Sequence, residues 1–159
     1  MLGRIFPKQI DNTYRGHWLG LVLFAAVVFV RFMMGFNSMV FTRYVATSAD
    51  RIPLDKYGAS ADATIITMFA LLGLSLFLPA LLGALALIRY RAMIPLIYLF
   101  LLFHEIGNKI INTIYPSERS AAASDVGYYV VLGVIAATVL GFLLSVTGKR
   151  PSLKPIAAD

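Results

Sequence analysis

Four long apolar runs separated by short polar stretches organise this chain. They cover about residues 18–41, 63–88, 92–115 and 127–147, each long enough for the roughly 20 residues that cross a hydrocarbon core. Runs of this length are too long for barrel strands. A lipid-embedded backbone must also satisfy its own polar groups, which a helix does alone. The pattern predicts an all-α fold: an integral membrane four-helix bundle, up-down-up-down, forming one domain over 1–159.

The polar stretches carry boundary signals. Ser60 or Asp62 is placed to cap the second span, and Ser124 or Asp125 the fourth. Pro116 follows the third span as a stop, and Pro95 sits near its start. Pro79 lies inside the second span, where it removes a backbone donor and predicts a kink. Ala46–Ala49 has the small residues of a signal-peptide cleavage site. It lies too far beyond the first apolar run for that role, so the run is expected to stay as a span.

Two runs are interrupted by charge. Arg31 follows an unbroken apolar or glycine stretch from Trp18 to Val30, and the third run contains His104, Glu105, Asn108, Lys109 and Asn112. An ionised group at the centre of a membrane helix costs about 2.5–3.5 kcal/mol even on the lenient insertion scale, so it needs a partner, water or a role. Depth follows from helix rise. Trp18 to Arg31 is about 20 Å and Met93 to Glu105 about 18 Å at 1.5 Å per residue. The two charges are therefore expected at similar depth, where an ion pair is the simplest way to carry both. Glu105, Asn108, Lys109 and Asn112 follow an i, i+3, i+4, i+7 pattern and share one helix face. Tyr98 extends that face, and His104 lies beside it.

Each of these residues has two readings. Arg31 and Glu105 form either a structural bridge or a ligand or proton site. Lys109 either contributes to that site or snorkels to headgroups. His104 is either a hydrogen-bonded packing residue or an acid–base group. As a haem or chlorophyll ligand it would lack a second intramembrane histidine. Tyr98 is read first as a packing aromatic. Gly133, Ala137, Gly141 and Ser145 form a small-residue stripe at four-residue spacing, suited to packing within the chain or to a homo-oligomer seam through Gly133, Ala137 and Gly141.

Composition sharpens the class. The 159 residues are 59% hydrophobic and 14% charged, and cannot supply a soluble domain's polar surface. The absence of cysteine excludes disulfides, thiolate zinc and Cys-ligated iron–sulfur sites. No metal site is expected. The net charge of +6 does not indicate nucleic acid, because its position explains it. Arg4, Lys8, Arg15, Arg89, Arg91, Lys149, Arg150 and Lys154 fall on one side of the spans. Arg43, Arg51, Lys56 and Arg119 fall on the other, among five acids. This eight-to-four bias places both termini in the cytoplasm, and in a Gram-negative cell places the protein in the inner membrane.

No phosphate loop, nucleophile elbow or HExxH motif occurs; four residues after His104 stands Asn108. The function classes left are three. One is a non-catalytic accessory or stabilising subunit of a membrane complex. The second is a protein that binds or transports a lipid, quinone or amphipathic anion through the Arg31/Glu105 cluster. The third, less favoured, is a lipid-modifying isomerase using Glu105 and His104. Membrane lipids and other membrane subunits are the expected partners, and no cofactor can be named.

Overall fold

The computed structural model describes residues 2–7, 9–116 and 126–147. Among them the structure is helical, and four helices are long and apolar enough to cross a bilayer. In chain order the helices are α1 (Leu2–Ile5), α2 (Trp18–Val40), α3 (Thr42–Tyr44), α4 (Ala59–Ile88), α5 (Ile94–Ile114) and α6 (Val126–Thr147). The four long helices match the apolar runs closely. The expected caps Ser124 and Asp125, and the cations Lys8, Arg119, Lys149, Arg150 and Lys154, lie outside the described residues.

The helix starts show how local chemistry sets boundaries. His17 caps α2: its Nδ1 accepts from the Leu19 amide at 3.2 Å, relieving one of the unpaired donors of the first turn. The cap of α4 departs from expectation. Gly58 takes that position without a side-chain bond, and the helix begins at Ala59, ahead of both Ser60 and Asp62. Asp62 instead sits in the first turn and pairs with Arg43, tying the α2–α4 connection to the helix. Pro95 occupies the first turn of α5, where its missing N–H removes nothing. Pro79 lies inside α4, and the helix runs through it to Ile88.

Between α3 and α4 the chain makes a π-helical turn at Val45–Ala49 and a 3-10 turn at Leu54–Lys56. Arg51 stands between them with φ of 62°. Ala46 and Leu54 are buried, so this connection packs against the bundle.

Helix α2 is the centre of the packing. It makes its largest contact with α4, a smaller one with α6, and touches α5 little; α5 leans mainly on α6. In cross-section α2 and α5 therefore stand diagonally opposite. Position 28 of α2 meets position 83 of α4, while positions 35 and 38 meet position 73. Gly35 and Gly73 bring the two backbones close: a Cβ added at Gly35 would lie 2.7 Å from the Phe77 nitrogen and 2.9 Å from the Gly73 carbonyl oxygen. This is the close approach that small residues permit in lipid. The small-residue stripe of α6 divides. Gly141 is covered by the Tyr98 ring inside the chain, whereas a Cβ added at Gly133 would meet nothing within 4 Å among the described residues.

The hydroxyls of Thr64, Thr67, Ser75, Thr113, Thr138, Ser145 and Thr147 each donate to a carbonyl three or four residues back in their own helix. These side chains are satisfied locally, so they do not join one helix to another.

The N-terminal arm folds across the end of the bundle that carries the α4–α5 turn. The His17 amide donates to the Leu144 carbonyl at 3.0 Å, and the Ala92 amide donates to the Asp11 carbonyl at 3.2 Å. Tyr14 of this arm has a buried hydroxyl without a hydrogen-bond partner among the described residues. Burial pushes its ionisation from 10.0 up to about 12. Its protonated form is favoured on folding, so this effect leaves stability unchanged below pH 10 and lowers it as pH rises from 10 towards about 12. Tyr14→Phe is expected to remove that alkaline loss and to be neutral or stabilising at neutral pH, since no bond is broken. Thermal unfolding of both proteins across alkaline pH checks this.

Candidate functional site

Arg31 projects from the middle of α2 and is 1% exposed, the largest fully buried side chain among the described residues. Its Nη2 donates to Glu105 Oε1 on α5, forming the ion pair that equal depth predicts. The pair crosses the diagonal of the bundle between two helices whose backbones come close at few places. Its Nη1 lies 3.4 Å from His104 Nδ1, and Asn108 Nδ2 lies 3.3 Å from the same atom. A guanidinium only donates, so Nδ1 of His104 must accept, and the ring is neutral with its proton on Nε2. The Arg31 Nε–H is buried and has no partner among the described residues.

Four of the seven residues singled out by sequence thus form one network: Arg31, His104, Glu105 and Asn108. The other three stand apart from it. Lys109 and Asn112 are exposed farther along α5. Tyr98 is fully buried two turns towards the α4–α5 turn, and its hydroxyl donates to the Gly20 carbonyl at 2.9 Å. Its ring meets Phe24 edge-on at a centroid distance of 4.8 Å and covers Gly141. Tyr98 is therefore a second diagonal tie between α2 and α5. Tyr98→Phe is expected to lose about 1 kcal/mol, the net worth of one hydrogen bond, measured by unfolding in detergent. Nothing in the sequence marks Gly20 and Phe24 as the α2 partners of Tyr98.

The network divides the bundle into unlike halves. On the side of the α4–α5 turn, Phe24, Val27, Ile94, Tyr98 and Leu101 are all 2% exposed or less and form a dry core. On the side of the α2–α4 connection, no residue of α5 beyond Leu101 is buried, and no described residue of α6 before Val134 is buried. Along the inner face of α5 Leu101 is 1% exposed, Glu105 and Asn108 are half-buried, and Asn112 is exposed.

Two cavities lie elsewhere, at the end with the α4–α5 turn. An open groove of about 530 Å³ runs between Ile10, Asp11, Asn12, Ile88, Arg89 and Tyr90. A small pocket of about 10 Å³, beside Arg15, Arg91, Pro95 and Ser145, has room for one water. Neither touches Arg31 or Glu105. No group of three or more metal-binding side chains occurs among the described residues.

Comparison of the chain with protein-family models, curated proteins and solved structures finds no match.

Proposed function

We propose that this chain is a non-catalytic accessory or stabilising subunit of a larger membrane complex, seated in a bacterial inner membrane with both termini in the cytoplasm. The observation that carries this reading is the burial of Arg31 in a diagonal ion pair that neither described pocket reaches. A pair so placed holds two non-adjacent helices in fixed register. The unburied halves of α5 and α6 give such a subunit helix surface to offer a partner.

The up-down-up-down course agrees with the contact register, in which later positions of α2 meet earlier positions of α4. Gly20 and Tyr98 meet, as do Arg31 and Glu105, so α2 and α5 advance together. The cytoplasmic placement of the termini rests on the eight-to-four distribution of cations.

One observation favours a second reading. The unpartnered Nε–H of Arg31 is a buried donor that a lipid, quinone or amphipathic anion with an acceptor head would satisfy. Native mass spectrometry after mild extraction, on wild type and Arg31→Ala, separates the two. The accessory role predicts copurifying membrane subunits and no small bound mass. A small mass bound by wild type and lost in Arg31→Ala would overturn it in favour of ligand binding.

A further inference from the structure

We propose that Glu105 is a proton-exchange site served from one face of the membrane only, through a wet polar cleft leading from the side of the α2–α4 connection. The inference rests on the four-span reading of the chain. Three observations carry it.

The first is the asymmetry of packing about the network. No residue of α5 beyond Leu101 and no described residue of α6 before Val134 is buried, although α2 stays buried at Gly35 and Ser38; the opposite half is closed by Phe24, Val27, Tyr98 and Leu101. The second is the chemistry of the open half. Glu105, Asn108 and Asn112 continue the inner face of α5 outward, the first two half-buried and the last exposed. Amides at this depth satisfy their hydrogen bonds with water more readily than with lipid tails, and intramembrane carboxylates of this kind mark proton paths. The third is the arrangement around the guanidinium. Arg31 has two acceptors, the Glu105 carboxylate and the neutral Nδ1 of His104. A hydronium ion of the cleft gives its proton to a Glu105 carboxylate oxygen; the new O–H bond removes the negative charge and releases one water. The Arg31–Glu105 ion pair is lost, but His104 Nδ1 still accepts from Arg31, so the cation is not left without an acceptor.

The charged and titratable groups around this site are few. Helix α5 contributes His104 and Lys109 besides Glu105, and α2 contributes Arg31. The only charged residue of α4 is Asp62, already paired with Arg43. Helix α6 has no charged residue, and its tyrosines, Tyr128 and Tyr129, stand near its start.

The chain contains no cysteine, so single cysteines report access without background. Asn108→Cys, Asn112→Cys, Leu101→Cys and Val27→Cys are placed singly in the full chain and reconstituted in vesicles of phosphatidylcholine and phosphatidylglycerol. A membrane-impermeant maleimide is added to one face at a time. The expected result is labelling at 108 and 112 from the face bearing the α2–α4 connection, and none at 101 or 27 from either face until the protein is unfolded. Infrared difference spectra between acid and neutral pH should show a carboxylic-acid band that is absent in Glu105→Gln and follows the pH of the labelled face alone. Protection of both asparagine positions, labelling of position 108 from the opposite face, or a spectrum unchanged by Glu105→Gln would each overturn the proposal. Circular dichroism of every variant separates these outcomes from misfolding.

Discussion

Arg31→Met is expected to destabilise the bundle by about 3 kcal/mol, the lower end of what breaking a buried pair costs. The lower end applies because Glu105, the charge left behind, keeps 14% of its side chain exposed, whereas Arg31 is almost fully enclosed. The reverse change, Glu105→Met, leaves the more deeply buried Arg31 without a counter-charge and with only the 3.4 Å contact to His104 Nδ1, and should cost at least as much. Replacing both together with methionine removes two desolvated charges at once. That double variant is expected to recover most of the loss, since apolar replacements of whole buried pairs are often neutral. Unfolding by denaturing detergent, followed by circular dichroism, measures all four proteins. Equal stability of wild type and Arg31→Met would show that the diagonal pair does not hold the bundle.

The second large effect is expected at the crossing of α2 and α4. Gly35→Ala places a methyl group 2.7 Å from the Phe77 nitrogen and 2.9 Å from both the Phe77 Cα and the Gly73 oxygen. These are backbone atoms, with no flexible side chain to give way, so the helices must separate. Overpacking of this kind costs about 1–3 kcal/mol, and Gly35→Leu should exceed it. Gly73→Ala meets the same seam from the other side, 2.9 Å from the Met39 nitrogen. The double alanine variant is expected to cost less than the sum, because one separation relieves both contacts. Gly133→Ala, in open space, is the control and should leave stability unchanged or raised by up to about 1 kcal/mol through helix propensity. The same unfolding assay checks the series.

The spans were legible because length and apolarity alone decide which helices can cross a bilayer. The start of α4 was harder to place. Ala59–Asp62 reads as polar connection, and the capping residue is a glycine that offers no side-chain signal. The Arg31–Glu105 pair was legible for a geometric reason: helix rise fixes depth, and two opposite charges at one depth attract. Helix order around the bundle is not encoded in rise or periodicity. For that reason Tyr98 had no foreseeable partner: its acceptor is a backbone carbonyl on the diagonal helix, and backbone carbonyls look alike in every residue. The same holds for Gly141. Four-residue spacing identifies a surface able to approach something closely, but only the fold shows that the Tyr98 ring fills it.

The diagonal pair also bears on how the protein is made. Glu105 follows Arg31 by 74 residues. At roughly 5–20 residues per second of synthesis, the guanidinium waits about 4–15 seconds for its carboxylate. During that interval the first span must stay in the membrane with a charge costing about 2.5–3.5 kcal/mol. The seam formed by Gly35 and Gly73 needs only the first two long helices, so it can close first and hold the nascent hairpin while the ribosome is still working. The ion pair then fastens when the third arrives, which makes the order of translation the order of assembly.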